Sequence, residues 1–279
     1  MSVEVPEALI LAEQMQKELP GKRIKSYRLQ DYEKLQKIGF LNKDIRAFDQ
    51  LVNGRIEYVT SRGNVIRVKL DNNANLLLSP EYGGRVTYHT DTKTVPSKLH
   101  LRVDFIDDTV LAVRLTGMGV IQTFRDDGLE RSYVYKRDFL SGKPSPADDK
   151  EFTFDCFQEL LAHRKDMMKL LFVGRDAVVV GLGNSAYQDI IYRAKIHPKR
   201  KASELSTKEK RALYDATKSI VHERIKLGGK DQFIDLHGKP GTYAPAIGSH
   251  LKSCMTCGTP IEKLSIGGGQ TYFCPQCQK

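Results

Sequence analysis

The chain has 279 residues, 40% of them hydrophobic and 28% charged, and a formal net charge of +10. That length buries real cores and points to two or three domains. No apolar run is long enough to span a bilayer, and Glu4 and Glu7 stand where a secretory leader would need a basic start, which argues for a soluble, cytoplasmic protein.

Residues 6–19 predict one helix: Pro6 opens it, Ala8, Leu11, Ala12 and Met15 recur at helical spacing, and Pro20-Gly21 stops it. From about Arg55 to Tyr135 the period changes to short β-rich runs, among them 65–70, 75–78, 99–105 and 110–115, separated by Asp-Asn, Gly-Gly and Asp-Asp turn signals. This pattern predicts a β-sandwich or barrel packed with one N-terminal helix. The polar, proline-containing stretch 141–150 reads as a linker and places a domain boundary there.

Beyond the linker the helical period returns, with Phe157, Leu160, Leu161 and Met168 assigned to one helix. A glycine turn, Gly181-Leu-Gly-Asn184, feeds a further helix that ends near His197-Pro198. Such a turn leaves backbone N–H groups free to hold a phosphate, although many such turns are only tight bends. A strong helix over 207–227 opens on the capping box Ser206-x-x-Glu209 and closes at Gly228-Gly229. Between Lys195 and Lys230 stand eleven Lys or Arg against four Asp or Glu, a basic stretch suited to a polyanion.

Four of the five cysteines lie in the last 26 residues, as Cys254-x2-Cys257 and Cys274-x2-Cys277 with sixteen residues between the pairs. Two such knuckles supply four thiolates for one tetrahedral Zn2+, with no coordination position left open, so the metal is expected to hold a fold. Cys156, between Phe154 and Phe157, reads as a small buried hydrophobe. His197 reads as a packing or capping residue, since four sulfurs already complete the metal's shell.

Three separated segments resemble one family. Gly181-Leu-Gly-Asn184 with Ile196-His-Pro198 and the capped helix is similar to the helix-two-turn-helix module of formamidopyrimidine-DNA glycosylases and endonuclease VIII. The tail from Cys254-Met-Thr-Cys-Gly-Thr-Pro-Ile261 to Cys274-Pro-Gln-Cys-Gln278 resembles that family's zinc finger. Val3-Glu-Val-Pro-Glu-Ala8 and Gly21-Lys-Arg-Ile24 look like its opening segment.

The resemblance implies an α+β protein in three parts: residues 1–140, an N-terminal helix plus β-sandwich; 150–235, a helix-two-turn-helix domain; and 245–279, a four-cysteine zinc-ribbon hairpin. It implies a monomer that binds double-stranded DNA, damaged or abasic, and excises a modified base, with or without AP-lyase activity. The alternative is a catalytically inactive DNA-binding protein on the same scaffold. In the family the free amine of an N-terminal proline attacks the sugar carbon of a flipped nucleotide and forms a Schiff base, the adjacent glutamate moves the proton, and a turn lysine assists.

Several family positions are replaced. Val3 stands at the proline position and is preceded by Ser2. Removal of Met1 would leave the α-amine on Ser2, an amine with a pKa of about 8 and competent in principle. Asn64, in Ser61-Arg-Gly-Asn64, replaces the turn lysine, and Gly269 replaces the zinc-finger arginine. The segments that fill the hole left by a flipped base offer Tyr82, Gly117 and Met118. The candidate catalytic residues are therefore Ser2, Val3, Glu4 and Glu7. The candidate DNA contacts are Asn64, Arg85, Gly183, Asn184, Lys201 and Arg211, and the metal ligands are Cys254, Cys257, Cys274 and Cys277. For Glu4 and Glu7, complementing the dipole of their helix is an alternative role, and for Asn184 a helix cap.

Overall fold

The computed structural model describes residues 3–279. They form two compact units, one running to Ser141 and including Gly228–Thr242, the other Gly142–Leu227 with Tyr243–Lys279.

The first unit opens with α1 (Val5–Glu18), β1 (Ile24–Leu29) and α2 (Tyr32–Lys37), followed by β2 (Ile56–Arg62), β3 (Val65–Leu70), β4 (Ala74–Ser79), β5 (Arg85–His89), β6 (Leu101–Phe105), β7 (Val110–Arg114), β8 (Val120–Arg125) and α3 (Tyr133–Phe139). The strands make two four-stranded antiparallel sheets, ordered β1-β6-β7-β5 and β2-β3-β4-β8. Alternation along β6 turns Leu101, Val103 and Phe105 inward, where they join one core with Leu11 and Met15 of α1, Leu19 just after it, and Ile66, Val68 and Leu76 of the facing sheet. Each such buried side chain contributes about 1.5–3 kcal/mol. Strand β4 is buried at every position because its other face is covered too: Leu77 joins Val65, Val120, Leu129 and Val134 in a second cluster.

The expected β-rich runs and the N-terminal helix are present, 65–70 with its expected ends and the others with ends displaced by one or two residues. Residues 228–242 pack with the first unit. Phe233 and Leu236 enter the core of the first unit, and Leu236 N donates to Gln14 Oε1 at 3.0 Å. Gly229, at φ +91°, makes this return possible: a Cβ there would stand 2.5 Å from the Phe233 ring.

The second unit holds α4 (Phe154–Leu161), α5 (Met168–Phe172), α6 (Asn184–Arg193), α7 (Thr207–Lys226), β9 (Glu262–Ile266) and β10 (Gly269–Phe273). The single helix expected to include Phe157 and Met168 is two. The chain leaves helical geometry at Ala162 (ψ 133°), His163 takes φ +63°, and Met168 opens a separate turn of helix. Four consecutive polar residues, His163 to Asp166, interrupt the apolar spacing there and leave no buried face to hold another turn. The core is an aromatic group in which Phe157 lies 5.5 Å from Phe152, 6.1 Å from Phe172 and 6.0 Å from Tyr214. The Ser206–Glu209 capping box forms as expected, with Ser206 N donating to Glu209 Oε2 at 2.8 Å. Cys156 is half-buried, on the less buried side of α4, not sealed in the core.

Candidate active site and nucleic-acid interface

The head of α1 carries an unusual concentration of buried charge. Glu4 and Glu7 are 1% and 0% exposed. They form a reciprocal cap: the Glu4 side chain accepts from the Glu7 backbone, and Glu4 N donates to Glu7 Oε2 at 3.1 Å. Glu7 Oε1 also accepts from Lys230 N at 3.3 Å. The Lys230 ammonium, itself 1% exposed, stands 3.8 Å from Glu4 Oε1 and 3.7 Å from Glu7 Oε2. Val3 and Lys230 line a cavity of about 80 Å³ together with Gly83, Gly84, Arg85, Gln232, Phe233 and Ile234. Ser2, the other expected catalytic residue, lies outside the described residues.

Asn64 sits in a two-residue turn between β2 and β3, after Gly63 at φ +59°. A glycine at the first turn position suits such a hairpin, and here a Cβ would also run into the Asp138 carboxylate. Asn64 Nδ2 donates to Glu81 Oε1 at 3.1 Å, while its Oδ1 accepts from Arg137 and, at 3.4 Å, from the Ser79 hydroxyl. Arg137 Nε also reaches Asp138 Oδ1 at 2.6 Å. Burial works against the guanidinium's charge, but the Asp138 hydrogen bonds and the nearby Glu81 carboxylate outweigh it and raise the Arg137 pKa. Tyr82, at φ +48°, and Met118 project from neighbouring loops and are 52% and 51% exposed. A Cβ on Gly117 would lie 3.5 Å from Tyr82 Cβ, so the tyrosine packs beside the turn that presents the methionine.

In the second unit, α6 begins after Gly183, its extended N-cap, so the first-turn amides of Asn184 and its neighbours lack helical acceptors. Asn184 Nδ2 donates to Gln270 O at 2.9 Å, and Gln188 Oε1 accepts from Tyr272 N at 2.7 Å, which fastens α6 to the β9–β10 hairpin. Among the described residues Asn184 Oδ1 has no hydrogen-bond partner, and it is buried. Lys201 is exposed at the start of a short 3-10 turn. Arg211 is more committed: its Nε bonds Asp215 at 3.1 Å, and its guanidinium covers the Phe154 ring at 4.8 Å.

The hairpin turns through Gly267 and Gly268, both at positive φ, as a tight two-residue turn requires. Under its tip Lys169 Nζ donates to Gly269 O at 2.9 Å and to Thr271 Oγ1 at 3.2 Å, and burial lowers the Lys169 pKa. The four Sγ atoms of Cys254, Cys257, Cys274 and Cys277 lie within 4.8 Å of one another. Separations of 3.9 Å for Cys254–Cys277, 3.5 Å for Cys257–Cys274 and 3.4 Å for Cys257–Cys277 fit the sulfur–sulfur edge of about 3.8 Å that a tetrahedral zinc with bonds of about 2.3 Å would set. These residues fit one structural zinc ion. His197 stays out of that shell and packs edge-on against Phe273 at 4.8 Å.

Two buried lysines, Lys169 and Lys230, were not among the residues expected from the sequence. Lys230 directly follows Gly228-Gly229 and offered no motif of its own. Lys169 follows Met168 in a segment read as helix interior, where a lysine ordinarily faces solvent. Among the described residues, no helix is long and apolar enough to cross a membrane.

Comparison with known proteins accounts for nearly the whole chain. Residues 3–116 match the formamidopyrimidine-DNA glycosylase N-terminal domain, 143–234 the formamidopyrimidine-DNA glycosylase H2TH domain, and 252–279 the zinc finger found in FPG and IleRS. The fold is similar to that of MutM (Fpg) from Thermus thermophilus, at TM-score 0.81 and 22% identity over 99% of this chain and 98% of that one. It is also similar to Lactococcus lactis Fpg in complex with abasic-site DNA, at TM-score 0.80 and 23% identity over 99% of both chains. Among curated relatives, formamidopyrimidine-DNA glycosylase of Listeria innocua is 29% identical over 99% of both chains. That of Listeria monocytogenes is 30% identical, also over 99% of each, and with this likeness along its full length the chain belongs to the formamidopyrimidine-DNA glycosylase family.

Proposed function

We propose that the protein is a cytoplasmic, monomeric DNA glycosylase that binds damaged or structured duplex DNA and excises a modified base. The observation that carries this reading is the head of α1, where two buried carboxylates flank Lys230, which walls a cavity together with Val3 and Arg85. A cavity with fixed charge on one side suits a flipped nucleotide, whose sugar carbon is out of reach inside the stack. In this reading Glu4 moves the proton and Glu7 organises the backbone around it. Arg85 meets the anionic sugar-phosphate.

The basic stretch and the first-turn amides of α6, with Gly183 and Asn184, hold phosphates. Lys201 adds an exposed cation. The zinc ion, held by the four cysteines, keeps the β9–β10 hairpin folded against α6. Asn64 does not replace the lysine it displaces, because its amide is occupied by Glu81 and Arg137.

The test is base release under single-turnover conditions from duplexes carrying, separately, an oxidised purine, a ring-opened purine and an oxidised pyrimidine, with the freed base identified by mass spectrometry. Release from at least one duplex, lost in Glu4→Gln, is the expected result. Tight binding to all of them with no base released overturns the glycosylase reading and favours a binding protein.

A further inference from the structure

Among the described residues that wall the cavity beside Val3, Lys230 carries the one primary amine. We propose that Lys230 is the nucleophile of this site, attacking the sugar carbon in the role the family gives to an N-terminal proline. This rests on the DNA-glycosylase reading of the same cavity.

Three observations support the assignment. First, the position is right: Lys230 shares the cavity wall with Val3, the residue that stands where the family has its proline. Second, the amine has proton acceptors at hand. Glu4 Oε1 at 3.8 Å and Glu7 Oε2 at 3.7 Å lie just outside the usual N–H···O hydrogen-bond length, so a small movement brings either carboxylate within reach. Third, the other amine the family would use is gone, since Asn64 stands at the turn-lysine position with its side chain tied into Glu81 and Arg137.

Anchoring the return segment does not require the ammonium. The return segment is already held by backbone bonds, from Lys230 N to Glu7 at 3.3 Å and from Leu236 N to Gln14 at 3.0 Å, and by Phe233 in the core. The ammonium also balances the two buried carboxylates, a charge that Lys230→Arg keeps while removing the nucleophile.

The chemistry balances without a further reagent. Glu4 takes a proton from the ammonium, and the neutral amine adds to the C1′ aldehyde of the ring-opened abasic sugar. The former carbonyl oxygen leaves as water and a C1′=N Schiff base remains. Loss of a C2′ proton then expels the 3′-phosphate, and water hydrolyses the imine to return the lysine.

The experiment is borohydride trapping of the full-length, zinc-loaded protein on a duplex with one abasic site, followed by peptide mapping of the adduct. Base release from lesion duplexes is measured separately. The expected adduct maps to Lys230 and falls by at least about 100-fold in Lys230→Arg, which keeps the charge but not the nucleophile. An adduct on the α-amine of the mature N-terminus, undiminished trapping by a folded Lys230→Arg, or no adduct from the wild type each overturns the proposal. Should Lys230→Arg not fold, the wild-type peptide map decides alone. Base release without an adduct overturns the lysine assignment and leaves the glycosylase reading standing. An adduct at Lys230 with no base released from any lesion does the reverse.

Discussion

Asn64 Nδ2 donates to Glu81 Oε1 at 3.1 Å, and the oxygen of the same amide receives the Arg137 guanidinium. The turn thus links β2, the loop after β4 and α3 through one neutral side chain between an acid and a base. Asn64→Ala leaves Glu81 and Arg137 each short of a partner in a half-buried setting, at an expected cost of about 1–3 kcal/mol. Thermal unfolding monitored by circular dichroism should show a melting temperature lower by several degrees. An unchanged melt would mean that water replaces the amide without loss.

The zinc ligands, the sandwich and the capped helix α7 were legible in the sequence because each rests on a local rule: knuckle spacing, strand alternation, and a Ser-x-x-Glu box. What was not legible depends on contacts between residues far apart in the chain. Lys230 is buried only because Gly229 turns the segment back so that Phe233 reaches the core near α1. Lys169 is buried only because the Gly267–Gly268 turn lays the hairpin over it, one hundred residues away. The break after α4 was missed for a related reason: Met168 keeps an apolar spacing that fits a continuous helix, and the left-handed His163 has no sequence signature.

Lys201 and Arg211 were both expected to meet DNA, and the structure separates them. Lys201 is exposed, whereas Arg211 is shared between Asp215 and the Phe154 ring. Lys201→Ala should reduce the slope of log K against log salt by about 1, as for one lost phosphate contact. Arg211→Ala should change that slope less and lower the melting temperature instead. Fluorescence anisotropy over a salt series checks both, and equal slopes for the two variants would undo the distinction.

Zinc removal should act on the hairpin before it acts on the helical core. With the thiolates unbound, the anchors between Asn184 and Gln270 and between Gln188 and Tyr272 lose their folded partner, and Lys169 loses its two acceptors at the tip. A strong chelator should release one zinc per chain and strip DNA affinity while α7 keeps its helical signal. Retention of full affinity by metal-free protein would show that the hairpin is not part of the interface.

Glu209 gives a signed pH dependence. Its pKa is lowered, chiefly by the hydrogen bond from Ser206 N, with further help from the Ser206 hydroxyl and Arg200. A carboxyl whose folded pKa is depressed adds stability above its unfolded pKa, 4.5 for this glutamate, and loses it as pH falls through the folded value. The wild-type melting temperature should therefore fall more steeply below that range than the melting temperature of Glu209→Gln. Parallel curves would show that the capping carboxylate does not feel its partners.

Tyr82 and Met118 are large, apolar and half-exposed on adjacent loops, and neither contributes to the core of its own unit. Stacking on a base is worth about 1–3 kcal/mol, so a tyrosine that enters the space left by a flipped nucleotide should matter only when DNA is bound. Tyr82→Ala is expected to leave the melting temperature unchanged and to weaken binding to an abasic duplex by about 5- to 150-fold, with less effect on undamaged DNA. Met118→Ala should act in the same direction, and the double variant should lose less than the two separate losses combined, since neighbouring side chains share one space. A 2-aminopurine placed opposite the abasic site reports the insertion directly. If its fluorescence on binding is the same for wild type and Tyr82→Ala, the tyrosine is not the residue that enters the stack.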